Sequence, residues 1–215
     1  MSAYLIELRR SPLRWWLLPL IAIDIAVLFG RSGRWWIGVW PEASVIAQIP
    51  AFYFGPLFAA IAAFTSGRSA RKSFDEDRTP QARSRWAAEA THFLATVTFA
   101  IVPYLVGVVV AFVMARPGAG PGGLWPGYVV VGVSLLVGCS AVGHVVGRMF
   151  RASMVPPIGA GIGCFLAVAV LGQKTGLLVL TGYPTMQPHA TAVLARLVVA
   201  GLLALRISAG SDGGE

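Results

Sequence analysis

Long apolar runs follow one another along this chain and exclude a water-soluble fold. Charged residues make up 12% of the 215 residues and hydrophobic residues 56%, whereas a soluble domain carries about 25% charged residues. Several of the runs approach the roughly 20 apolar residues that one helix needs to cross a bilayer. The sequence therefore predicts an integral membrane protein.

The apolar runs predict an all-α membrane protein, a bundle of six transmembrane helices within one domain over residues 1–207. The predicted spans are roughly 15–30, 45–65, 87–114, 127–147, 153–171 and 189–207. Pro50 and Pro56 are expected to kink the second span. Segment 172–188 has an apolar run too short to span and is predicted to be re-entrant or interfacial. The small, polar tail 208–215 is predicted to be disordered.

Lys and Arg residues are distributed unequally between the two sides of this arrangement. Twelve fall on the side that holds the N-terminus and the tail, and four on the other side. Basic residues favour the cytoplasmic side, so both termini are predicted to be cytoplasmic. The net charge of +8 then reflects topology, and no nucleic-acid partner is expected. Arg outnumbers Lys 15 to 2, which is typical of a GC-rich bacterial genome and indicates a bacterial inner membrane.

Two charges fall inside predicted spans. Asp24 lies in the first span and Arg196 in the sixth. A charge near the bilayer centre costs at least about 3 kcal/mol unless it is paired. The two residues could pair across the bundle to hold helices together, or they could serve a substrate or gating role.

Two histidines are expected near the cytoplasmic ends of their spans. His92 and His144 could share a membrane depth, as two axial haem ligands would, and Glu89 precedes His92 with the Glu-x-x-His spacing of di-iron bundles. That motif occurs once here, whereas a di-iron site needs two copies and further Glu. The favoured interpretation is polar residues satisfied within the bundle, with no metal and no cofactor. Membrane redox chemistry is the minor alternative.

Small residues inside the spans indicate close helix packing. Gly143 and Gly147 have a Gly-x-x-x-Gly spacing, as do Gly159 and Gly163, and such pairs let helix backbones approach. The chain carries no Gly-x-Ser-x-Gly elbow, His-Glu-x-x-His zinc motif or phosphate-binding loop with its Lys. No catalytic residue is predicted, and the protein is not expected to be an enzyme. The two cysteines lie in apolar runs and are expected to be small core residues.

The polar loop 66–86 is the longest predicted cytoplasmic segment between spans. It contains an acidic island between basic residues: Arg71, Lys72, Phe74, Asp75, Glu76, Asp77 and Arg78. Such a segment can be a solvated loop, a basic surface for anionic lipid, or a docking element for a cytoplasmic partner.

Taken together, the layout resembles the permease subunit of an ABC-2-type exporter. That family has an amphipathic elbow helix before span one, six spans, a coupling helix between spans two and three, and a re-entrant element before span six. Here the elbow helix would be 5–16, the coupling helix would lie in 71–85, and the re-entrant element would be 172–188. The likeness is architectural and covers the whole chain, although the first span is short for the family.

The resemblance implies a transport subunit without its own catalytic site. A separate cytoplasmic ABC ATPase would hydrolyse ATP, and a second permease copy or a related permease would complete the path for an amphipathic substrate. The alternative is a non-transporting membrane scaffold or accessory subunit that binds a partner through loop 66–86.

Overall fold

The computed structural model describes residues 3–30, 37–75, 85–150 and 155–174. All regular secondary structure in these ranges is helical. The helices are α1 Ala3–Arg10, α2 Leu13–Gly30, α3 Trp40–Asp75, α4 Arg85–Ala119, α5 Pro126–Met149 and α6 Val155–Lys174. The predicted all-α class is therefore confirmed for this part of the chain.

Four of these helices are long and apolar enough to cross a bilayer, which makes the chain a multi-pass membrane protein. Their apolar parts are Leu13–Gly30, Trp40–Arg68, Ala87–Ala119 and Pro126–Met149, and they correspond to the first four predicted spans. The apolar part of α6, Val155–Val170, is shorter and lies within the predicted fifth span. The predicted sixth span, 189–207, lies outside the described residues.

A short break separates α1 from α2. Ser11 and Pro12 stand between the two helices, and Ser11 Oγ accepts a hydrogen bond from the Leu13 N–H at 3.3 Å. Serine is a favoured N-cap, and proline suits the first turn because it has no N–H to leave unpaired. The prolines predicted to kink the second span lie inside α3, which remains helical through both.

Helix α3 lies at the centre of the described bundle and packs backbone to backbone against α5. Gly143 faces the Ala59 backbone, and Gly147 faces the Ala63 carbonyl, so closely that a Cβ at either glycine would overlap these atoms. The contacts advance by four residues on both helices, which shows that α3 and α5 run parallel. In an 18-residue apolar stretch of each helix, 78% of the residues are buried in α3 and 22% in α2, so α2 is peripheral.

The Gly-x-x-x-Gly residues of α6 have open space beside them, unlike those of α5. A Cβ added at Gly159 or Gly163 would have no atom within 4 Å, whereas Gly161 lies near Ala60 of α3. Gly159 and Gly163 line an apolar groove of about 710 Å³ between α5 and α6. No described residue packs into the Gly-x-x-x-Gly notch of α6.

Two tryptophans mark one end of the bundle. The backbone N–H of Trp125 donates to Ser44 Oγ at 2.8 Å, and Ser44 Oγ donates to the Trp40 carbonyl at 2.6 Å. Trp40 is 8% exposed and stacks on Phe112, so it belongs to the protein interior rather than to an exposed interfacial belt. This end is called the tryptophan end below. The opposite end, which holds Arg68 and Arg148, is called the basic end.

Substituting the α5 glycines should weaken the bundle. Gly143→Ala and Gly147→Ala each force a methyl group into the α3 backbone, and overpacking of this kind costs typically 1–3 kcal/mol. Each variant should unfold at a lower temperature than the wild type in detergent, followed by tryptophan fluorescence. Gly159→Ala is the matched control, because its methyl group meets open space, and its unfolding midpoint should equal or exceed that of the wild type. Equal midpoints for all three variants would contradict the close packing.

Candidate functional site

A carboxylate at the basic end joins α4 to α5. Glu89 lies in the second turn of α4, and His144 and Arg148 lie one turn apart near the end of α5. Glu89 Oε2 is 3.0 Å from His144 Nε2, and Glu89 Oε1 is 2.8 Å from Arg148 Nη1. One carboxylate thus contacts two basic side chains that helical geometry places on one face of α5.

Burial strengthens these contacts. The side chains of His144, Arg148 and Glu89 are 2%, 9% and 15% exposed. Charges at such sites interact more strongly than charges in water. Removing one partner is costly, because it leaves the other charge buried without compensation.

A second, more exposed pair joins α1 to α4. His92 Nδ1 is 3.2 Å from Glu7 Oε1, and their side chains are 22% and 40% exposed. Tyr4 and Thr98 share a hydrogen bond of 2.7 Å between the same two helices. Helix α1 is therefore held along α4 by two polar contacts, which lie about one turn apart on α1 and six residues apart on α4.

The two pairs form one group of side chains. The His92 and His144 rings lie 6.5 Å apart between centroids, and Ser66 Oγ of α3 donates a hydrogen bond to the His144 carbonyl at 3.1 Å. We call the residues Glu7, Glu89, His92, His144 and Arg148 the Glu89 cluster. It connects α1, α4 and α5 directly, and α3 through Ser66.

The Glu-x-x-His spacing of α4 has a structural explanation in these contacts. Glu89 points to α5, and His92 points to α1. Within the described ranges, no group of three or more His, Cys, Asp or Glu side chains is arranged to hold a metal ion. The arrangement instead pairs His92 with Glu7 and His144 with Glu89.

Sequence reasoning found three members of the cluster and missed two. Arg148 follows His144 by four residues and so shares its helix face, which is the signal that could have revealed it. Glu7 of α1 is the second member that the sequence did not reveal. Its partner could not be found from the sequence because α1 and α4 are far apart in the chain.

Asp24 forms a separate feature within α2. Its side chain is fully buried, and its carboxylate lies so close to Gly107 of α4 that a Cβ at Gly107 would overlap it. Neither carboxylate oxygen has a side-chain hydrogen-bond donor among the described residues. Arg196, the partner predicted from the sequence, lies outside those residues, so the pairing stays a prediction.

Tyr104 lies one turn before Gly107 on the same helix, and its hydroxyl donates to the Val129 carbonyl of α5 at 3.3 Å. Gly132 leaves the space that the Tyr104 ring occupies. Asp24 therefore lies beside a layer in which α4 and α5 are joined by a buried hydrogen bond.

Other buried polar groups were not singled out in the sequence. Both polar atoms of the Gln48 side chain, and the hydroxyls of Ser134 and Ser140, have no hydrogen-bond partner in the described part of the chain. Gln48 could have been recognised from the sequence, because it is a polar residue inside an apolar run. Cys139 and Cys164 are free and buried in one apolar cluster, where they act as the small core residues that were expected.

Helix α3 continues beyond the membrane-spanning stretch. Its apolar part ends at Arg68, but the helix ends at Asp75. Arg71, Lys72, Phe74 and Asp75 of the predicted coupling segment are therefore helical. The remaining residues of that segment, Glu76, Asp77 and Arg78, lie outside the described ranges.

No protein-family model, curated protein or solved structure matches this chain. The function of the chain is therefore inferred from the chemistry and geometry of its own residues.

Breaking the Glu89 contacts should destabilise the protein more than breaking the α1 contact. Glu89→Gln leaves His144 and Arg148 without their carboxylate, and disruption of a buried pair costs roughly 3–5 kcal/mol. Glu7→Gln is the matched control, because the exposed pair it disrupts is worth about 0–1 kcal/mol. Thermal unfolding in detergent should show a clearly lower midpoint for Glu89→Gln and a small change for Glu7→Gln. The reverse order would show that the Glu89 cluster does not hold the bundle together.

Proposed function

We propose that the chain is a membrane-spanning permease subunit of an ABC-type exporter, with ATP hydrolysed by a separate cytoplasmic subunit. The observation that carries the proposal is the length of α3. One helix runs from Trp40 at the tryptophan end, through the apolar stretch, to Asp75. Asp75 belongs to the predicted coupling residues 71–78, which we call the charged segment. A force on the charged segment would be transmitted along a continuous helix to the centre of the bundle.

The N-terminal helices support the same proposal. Helix α1 has exposed Leu5 and Ile6 and ends with Arg9 and Arg10, a composition suited to the membrane interface. The break at Ser11 and Pro12 then separates it from the first spanning helix. In the proposed role, α1 is an elbow helix at the cytoplasmic surface and both termini are cytoplasmic.

The mechanism follows from how α3 is packed. An ATPase that moves the charged end of α3 would also displace α5, because the two helices contact each other through glycine and leave no side-chain layer between them. Movement would reach α1 and α4 through the Glu89 cluster. Two such subunits, or this chain with a related permease, would form the path for an amphipathic substrate.

A non-transporting membrane scaffold is the second candidate. The tight contact of α3 with α5 favours it, because a fully packed centre suits a rigid support for a partner bound at the charged segment. Both roles require a partner at that segment, and they differ in whether the partner is an ATPase.

The acidic residues of the charged segment should be needed for partner binding. Changing Asp75, Glu76 and Asp77 together to Lys reverses the charge of the acidic island and should abolish co-purification of the partner from native membranes. Changing Asp212 and Glu215 to Lys in the C-terminal tail adds similar charge elsewhere on the predicted cytoplasmic side, and it should leave co-purification unchanged. Mass spectrometry should identify the partner as an ABC ATPase. A non-ATPase partner would favour the scaffold, and recovery of the chain alone would contradict both roles.

Site-directed labelling should show the proposed orientation. A cysteine at Ser73, at the basic end, should react with a membrane-impermeant maleimide only after spheroplasts are opened. A cysteine at Ala119, at the tryptophan end, should react in intact spheroplasts. The buried native cysteines provide the unlabelled background. The opposite pattern would place the termini outside and exclude a cytoplasmic ATPase at the charged segment.

A further inference from the structure

Asp24 is placed deep in the apolar part of the bundle. It is the twelfth residue of α2, an 18-residue helix that is about 27 Å long at 1.5 Å per residue. The residue therefore lies about 10 Å from the helix C-terminus and further from the N-terminus. At this position water is unavailable to solvate a charge.

Among the described residues, the surroundings of Asp24 offer no compensating charge. Its side chain is fully buried and lies against the Gly107 backbone, which approaches because residue 107 has no side chain. Tyr104 is the titratable group that faces it from α4. Helix α3, which also packs against α2, carries Glu42, Tyr53 and Arg68 in its spanning part, and none of these described side chains interacts with the Asp24 carboxyl group.

An ionised Asp24 would thus be a buried charge with no oppositely charged side chain beside it among the described residues. Such a charge costs about 2.5–3.5 kcal/mol or more at the centre of a bilayer, and a carboxyl group in this position avoids the cost by taking up a proton. We propose that Asp24 is a proton-binding site that holds its proton while α2 packs on α4 and exchanges it when the two helices separate. This proposal is independent of the exporter function.

A proton fits the site better than a metal cation. A bound cation such as Ca²⁺ needs six to eight oxygen ligands. The Tyr104 hydroxyl, which faces Asp24 from α4, is already engaged with the Val129 carbonyl, and the surrounding backbone belongs to helices whose carbonyls are largely engaged in their own hydrogen bonds. One carboxyl group is enough for a proton.

The position of α2 allows the exchange step. Helix α2 is peripheral, and Leu18 and Ile23 on its outer face are exposed from the protein. It can therefore move relative to α4 without disturbing the contact between α3 and α5. When water reaches Asp24, the O–H bond breaks heterolytically, the electron pair stays on the carboxylate oxygen, and the proton passes to water. The reverse step restores the neutral acid.

The test uses the full chain in proteoliposomes and dicyclohexylcarbodiimide, an apolar reagent that adds to protonated carboxyl groups. Peptide mass spectrometry should find the adduct on Asp24 at neutral pH and lose it at alkaline pH, with no protection by Na⁺. Glu89, which is paired with Arg148, is the internal control and should stay unlabelled. Protection by Na⁺ would overturn the proposal in favour of a cation site. Absence of label on Asp24 at every pH would indicate an ionised residue, as a pair with Arg196 would produce.

A second measurement does not depend on access of the reagent. Infrared spectra of the wild type minus Asp24→Asn should contain the C=O stretch of a protonated carboxylic acid at neutral pH. Because Asn has nearly the shape of the neutral acid, Asp24→Asn should keep the wild-type unfolding midpoint. A carboxylate band in the difference spectrum, or a midpoint several degrees lower, would overturn the proposal.

A third variant tests the link between proton exchange and helix separation. Gly107→Ala places a methyl group where the Asp24 carboxylate lies, so it should push α2 from α4 and admit water. Carbodiimide labelling of Asp24 in this variant should fall at least several-fold at neutral pH and recover at acidic pH. Gly159→Ala, whose methyl group meets open space, is the matched control and should label like the wild type. Unchanged labelling in Gly107→Ala would contradict the proposed coupling.

Discussion

The contact between the backbones of α3 and α5 is the interaction on which the described bundle depends. In a membrane the hydrophobic effect does not drive helices together, so association relies on dispersion forces and interhelical hydrogen bonds. Gly143 and Gly147 let α5 approach α3 without an intervening side chain. This contact positions Ser44 beside Trp125 at one end and Ser66 beside the His144 carbonyl at the other. The polar contacts at both ends are thus set by the packing between them.

Two ionisable sites avoid the free-energy cost of an uncompensated buried charge in different ways. At the basic end, the Glu89 carboxylate contacts His144 and is compensated by the Arg148 guanidinium. In the apolar interior, Asp24 has Gly107 and Tyr104 as neighbours and no cation among the described residues. The first arrangement stabilises a fixed relation between helices. In the second arrangement, the charged form of Asp24 becomes favourable only when water or a cation reaches the carboxylate. Such a site is suited to a change of protonation state.

The membrane-spanning part of the fold could be predicted because hydropathy depends on local composition. The predicted spans 45–65 and 127–147 lie within α3 and α5. Helix ends were harder to place, since the predicted second span stops at residue 65 while α3 continues to Asp75. The continuation contains Arg, Lys, Ala and Ser and no proline or glycine after Gly67, so helix propensity persists after apolarity ends. Residues 5–16, the predicted elbow, fall in α1 and the start of α2 with a break at Pro12 between them, and their role as an elbow stays a prediction.

The sequence by itself determined the helical class, the approximate position of four spans and the identity of the polar residues inside them. The tertiary structure decided which residue each of them meets. The same Gly-x-x-x-Gly spacing packs against α3 in α5 and faces a groove in α6, and Glu89 and His92 share a motif yet contact different helices. Hydropathy is a sum over neighbouring residues in the chain. A contact depends on how each helix is rotated and on what packs beside it, which the local sequence does not specify.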